Sequence, residues 1–94
     1  MSQEFIDKVP VTVVYESRAY SGHIAIIHMD EITAYASWWV GDEEGNIFAS
    51  ESRPYFIGDR SYTHDEIIEM VVENMRRYQI CRKKFTFVEL ERYD

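Results

Sequence analysis

Between residues 32 and 40 apolar and polar positions alternate with a period of two. Ile32, Ala34, Ala36, Trp38 and Val40 fall on one side, and Thr33, Tyr35, Ser37 and Trp39 on the other. This is the pattern of a strand with one buried face. Two earlier runs, residues 11–16 and 23–28, are rich in β-branched and apolar residues and predict two more strands. The turn residues of 17–22 lie between them, so the two runs form a hairpin, and Asp30 and Glu31 end the second. Gly41, Asp42, Glu43, Glu44, Gly45 and Asn46 compose a further turn, after which residues 47–51 complete a second hairpin. Residues 52–62, with Pro54 and Gly58, hold no sustained period and read as a long connection in which Tyr55, Phe56 and Ile57 still need burial.

The period then changes. Thr63 followed by Glu66 matches a capping box, in which the threonine hydroxyl accepts from an early helical amide and the glutamate reaches back to the threonine amide. From there Ile67, Ile68, Val71, Val72, Met75 and Tyr78 recur at three- and four-residue spacing, with Glu66, Glu69, Glu73, Asn74 and Arg77 on the other side. Acidic residues open this helix and Arg76 and Arg77 close it, the order that the helix dipole favours. A last strand is expected over 85–90. The elements run β-β-β-β-α-β: an α+β fold with an antiparallel sheet of about five strands and one amphipathic helix on one face.

A chain of 94 residues suits one core, so residues 1–94 read as one domain with a flexible lead over 1–9. Cys81 is the only cysteine and cannot form an internal bridge, which favours a reducing, cytoplasmic setting. No apolar run has the length of a membrane span, and the first residues lack the order of a signal peptide. The net charge of −7 is unevenly placed: residues 1–75 carry fourteen acidic and four basic residues, and residues 76–94 carry three and six. An acidic surface of this kind either keeps a small domain in solution or steers it to a basic partner. It disfavours binding to nucleic-acid phosphates, although Arg76, Arg77, Arg82, Lys83 and Lys84 form a basic patch near the C-terminus.

Catalytic patterns are missing. His23 and His28 are five apart, which on a regular strand puts them on opposite faces, and no further ligand completes a metal pattern. His64 fits ordinary capping geometry. There is no nucleophile elbow and no phosphate-cradling glycine loop, and the paired carboxylates sit at turns and a helix start, where solvent screens them. No metal or cofactor is implied, and the chain reads as a non-enzyme.

Trp38 and Trp39 are adjacent on a strand, so one ring enters the core and the other points away. Either the long 52–62 connection covers the face of that second ring, or, with a single helix to cover the sheet, the ring and Tyr35 are left to anchor an interface. These features give the expectation of a small acidic protein that binds a protein with a basic surface or cleft and inhibits or regulates it by occlusion. Its partner-binding residues would be Asp30, Glu31, Tyr35, Trp39, Asp42, Glu43, Glu44, Asp65, Glu66, Glu69 and Glu73. In size and charge the chain is similar to phage-encoded anti-restriction and anti-CRISPR proteins, several of which present carboxylates in place of DNA phosphates; the likeness is one of composition and transfers no residue. The alternative is a small regulatory domain that contacts DNA or RNA through the basic patch. A homodimer is compatible with either.

Overall fold

Alternation along the first half of the chain builds an antiparallel meander. In the computed structural model, which describes residues 7–42, 44–58 and 62–91, β1 (Asp7–Tyr15), β2 (Arg18–Met29), β3 (Thr33–Gly41) and β4 (Ile47–Phe56) pair in succession. The chain then crosses the sheet through α1 (His64–Arg77). It makes a small ribbon from β5 (Gln79–Ile80) and β6 (Lys83–Lys84) and returns as β7 (Phe87–Leu90) on the far side of β1. The main sheet has the order β4-β3-β2-β1-β7, which is the expected α+β arrangement of five antiparallel strands with one helix.

The helix forms where the capping box places it. Thr63 Oγ1 accepts from the Glu66 amide at 3.1 Å, and the Thr63 amide donates to Glu66 Oε1 at 3.1 Å. Ile67, Ile68, Val71, Val72 and Met75 are buried against β2, β3 and β7. They meet Val11, Val13, Ile24, Ile26, Ala34, Ala36, Trp38 and Val40, all of which lie on the helix-facing side of the sheet. Tyr78 is the C-cap of the helix rather than part of its last turn, and it packs on this core from there.

Several boundaries differ from the sequence expectation. Residues 7–9 are strand rather than flexible lead, and the first turn is Glu16-Ser17 alone, so that residues 18–22 belong to β2. Both turn residues adopt left-handed backbone, with φ of 51° and 68°, the type I′ geometry that glycine and asparagine normally supply. Cys81 and Arg82 repeat these angles between β5 and β6. A left-handed non-glycine residue costs about 1 kcal/mol or more. Ser17→Gly is therefore expected to raise the thermal midpoint by several degrees, on the order of 4–8 °C per kcal/mol for a domain of this size. Calorimetry checks this, and an unchanged midpoint would mean that the turn is not strained.

Two further corrections concern β4 and Ile32. The stretch read as a connection from residue 52 is strand as far as Phe56, with Tyr55 and Ile57 buried. Ile32 does not continue the buried row of β3, because it lies in the β2–β3 turn and is 57 % exposed. Finally, β7 begins at Phe87 rather than at residue 85. No helix among the described residues is long and apolar enough to cross a membrane.

Candidate functional site

With the helix and the core on one side, the other side of the sheet has no described element packed over it. The described part of the 52–62 stretch lies beside β3 as a strand and does not cover it. Trp38 turns inward and is 1 % exposed, so Trp39 is the ring on the open face.

Register brings the neighbours of Trp39 together. His23 on β2 stands opposite Trp39, and Pro10 on β1 stands opposite His23. The His23 and Trp39 rings are 5.7 Å apart at a tilt of 31°, and Lys8 Nζ is 5.6 Å from the Trp39 ring centre, within cation–π range. Beside them is a shallow cleft of about 470 Å³, whose lining includes His23, Trp39, Asp42 and Ile47. Further along the same face Tyr35 pairs with Pro54 and is 48 % exposed, and Ser52 Oγ donates to Ser37 Oγ at 2.8 Å between the two aromatic positions.

Partial burial, then the nearby Lys8 charge, lowers the His23 pKa from its ordinary 6.5, against a smaller opposing pull from Glu91. The folded state therefore disfavours the imidazolium. The stability this contributes is present above pH 6.5 and is lost as pH falls through that value towards the lower folded pKa. The thermal midpoint of His23→Gln is accordingly expected to fall less between neutral and mildly acidic pH than that of the parent. Parallel curves for the two proteins would assign the acid sensitivity to other groups.

The described acidic residues of the expected set are divided between several places and do not form one surface. The Asp30 carboxylate accepts from the Ile32 and Thr33 amides at 2.9 and 2.8 Å, and the Asp42 carboxylate accepts from the Glu44 and Asn46 amides at 2.9 Å each. Both aspartates thus shape their own turns, while Glu31 and Glu44 are exposed. These turns cap opposite ends of β3, roughly 27 Å apart at the rise of an extended strand. Asp65 and Glu66 lie at the Asp30 end, where His64 Nδ1 is 3.8 Å from Asp7 Oδ2. Glu69 and Glu73 are exposed on the helix, on the other side of the molecule from Trp39 and Tyr35, and Glu73 pairs with Arg76 at 2.8 Å. Glu43 lies outside the described residues.

Sequence reasoning missed Lys8 and His23 as companions of Trp39. The pairing of residues 11–16 with 23–28 as a hairpin was legible, but its register was not, because it is set by the glycine-free turn at Glu16-Ser17. A bulge between Ile26 and His28 also breaks the regular alternation used to separate the two histidines, and the His28 side chain lies outside the description. Among the described residues, no group of three or more His, Cys, Asp or Glu gathers where it could hold a metal ion. No family model, curated protein or solved structure matches this chain, and its function is read from its own residues.

Proposed function

We propose that this is a non-enzymatic protein that docks on a protein partner through the open face of its sheet and blocks that partner by occlusion. The observation that carries the reading is the placement of Trp39 and Tyr35 on the face opposite the helix. Aromatic rings on a rigid strand offer large contact area at low entropic cost, which is why they dominate binding hot spots. The Asp30–Glu31 and Asp42–Glu44 turns stand at the two ends of this face as acidic rims. They suit a partner with an apolar centre and basic flanks, such as a protein that itself handles nucleic acid. Anti-defence inhibition of the phage type falls within this class. Because the carboxylates are divided between two ends and the helix, the reading rests on aromatic docking with charge steering rather than on a continuous mimic of DNA phosphates.

The basic patch supports the nucleic-acid alternative less well. Arg76 is engaged by Glu73 and by the Val88 carbonyl, and Lys83 by Glu16.

The test is capture of partners from a host lysate with the parent protein and with the Tyr35→Ala, Trp39→Ala double variant, at low and high salt. A partner held by the parent, weakened by salt and lost from a double variant that keeps its circular dichroism spectrum is the expected result. Equal capture by both proteins would sink the open-face reading, and a shift of DNA or RNA abolished by neutralising Arg82, Lys83 and Lys84 would favour the alternative.

A further inference from the structure

The sheet ends on one side at β4, whose outer edge pairs with no described strand. Which backbone groups face outward follows from two observations. The Ile57 amide donates to the Ile32 carbonyl at 2.9 Å, so the odd-numbered positions continuing back along β4 point their backbone groups at β3. Pro54, which has no N–H to give, is even-numbered and stands opposite Tyr35, where no ladder bond is required of it. The even-numbered residues Ser50, Ser52 and Phe56 therefore present both N–H and C=O at the edge, and Pro54 presents its carbonyl.

Side chains narrow what can add there. Glu51 and Arg53 lie on the helix side of the strand, opposite Trp38 and Ala36, and pair with each other at 3.0 Å. A second copy of β4 approaching antiparallel about a two-fold axis at Ser52 sets Glu51 opposite Arg53 of the other copy, twice. It also sets Ser52 opposite Ser52, and Ser50 opposite Pro54. Shifting the axis to residue 51 sets glutamate against glutamate, and shifting it to 53 sets arginine against arginine. An axis at residue 54 brings two prolines together with no N–H between them.

We propose that the chain self-associates as a two-fold dimer through β4, in the register centred on Ser52, where the opposite charges of Glu51 and Arg53 meet, making one continuous ten-stranded sheet. The central Ser52 pair exchanges both backbone bonds, and each Ser50 amide donates to a Pro54 carbonyl. The two Glu51–Arg53 pairs become a four-charge cluster on the helix side. Proline and charge on an edge strand normally guard it against indiscriminate pairing, and here the same residues favour a register in which their charges are complementary. The interface lies on the edge of the sheet, so it does not depend on the open-face function.

Sedimentation of the whole chain over a range of concentrations tests this. The parent is expected to move from 11.2 kDa to twice that mass as concentration rises. Ser52→Pro removes the outward N–H and the hydroxyl that donates to Ser37 Oγ, in a strand that already tolerates Pro54, and is expected to be folded by circular dichroism and monomeric throughout. Arg53→Glu places like charges opposite each other and is expected to weaken association by about tenfold or more. Combining it with Glu51→Arg is expected to restore association. A parent that stays monomeric at every concentration, or a dimer that persists in Ser52→Pro, would overturn the proposal.

Discussion

Replacing Trp38 by alanine is expected to lower the thermal midpoint by at least about 12 °C, from a loss of about 3–5 kcal/mol and a sensitivity of about 4 °C or more per kcal/mol. A chain of this length has about 5–14 kcal/mol of stability in all, so the variant stands near the edge of folding. The ring is 1 % exposed and is the largest fully buried side chain. It meets Tyr78 edge-on at 4.8 Å and Phe85 at 5.8 Å, and so joins the centre of the sheet to the segments that follow the helix. Its indole N–H has no hydrogen-bond partner among the described residues. An unpaired buried donor costs about 1–3 kcal/mol, a cost that phenylalanine does not carry. Trp38→Phe drops the same N–H as alanine but keeps a ring against Tyr78 and Phe85, and is expected to lose less than half of what the alanine variant loses. Chemical denaturation of both variants checks the order, and equal losses would mean that the phenylalanine ring does not refill the site. Trp39→Ala, on the open face, is the control and is expected to change stability by about 1 kcal/mol or less.

Gly22→Ala is the second large effect. Glycine inside a strand usually weakens it, so alanine there would ordinarily be a gain. At this position the sign reverses, because a Cβ on Gly22 would lie 2.3 Å from the Trp39 carbonyl oxygen and 3.1 Å from the Val40 Cα. Those atoms are backbone, and they belong to the strand paired with Gly22 at the middle of the sheet, so neither can move without opening the β2–β3 ladder. Overpacking of this kind costs about 1–3 kcal/mol or more. The expected result is a loss at the upper end, with faster amide exchange along β2 and β3. Gly41→Ala, whose added carbon would meet, among the described residues, only the Asn46 carbonyl at 3.6 Å, is expected to fall within about 0.5 kcal/mol of the parent. A Gly22→Ala protein as stable as Gly41→Ala would show that the strands part more easily than their packing implies.

The helix was legible in the sequence because three independent signals coincide on it: the Thr63–Glu66 box, the apolar stripe from Ile67 to Met75, and charges ordered along the dipole. The alternating rows of β3 were legible, since a period of two puts Trp38 and Trp39 on opposite faces, but which of the two rings is buried is given only by the structure, where Trp38 is inward. The outer half of β4 was not. An edge strand is covered on fewer sides, so Ser52, Arg53 and Pro54 interrupt the alternation without interrupting the strand. Nor was the first turn, because Glu16 and Ser17 adopt angles that their side chains do not advertise. The division of the carboxylates between two ends of the molecule follows from which strands are neighbours and in which direction each runs, information that no local pattern carries.

The position of β7 bears on how the chain reaches this structure. The four strands of the meander pair with their sequence neighbours across short turns, and the helix forms from local signals. By contrast, Leu90 must find Val11, a closure that encloses the whole meander and the crossover. The entropy of closing so long a loop is repaid only after the meander exists to receive it. Assembly is therefore expected to run from the hairpins outward, with β7 docking last. A nascent chain carries an unpaired β1 edge until β7 arrives, and that interval is when the protein is most exposed to pairing with the wrong strand.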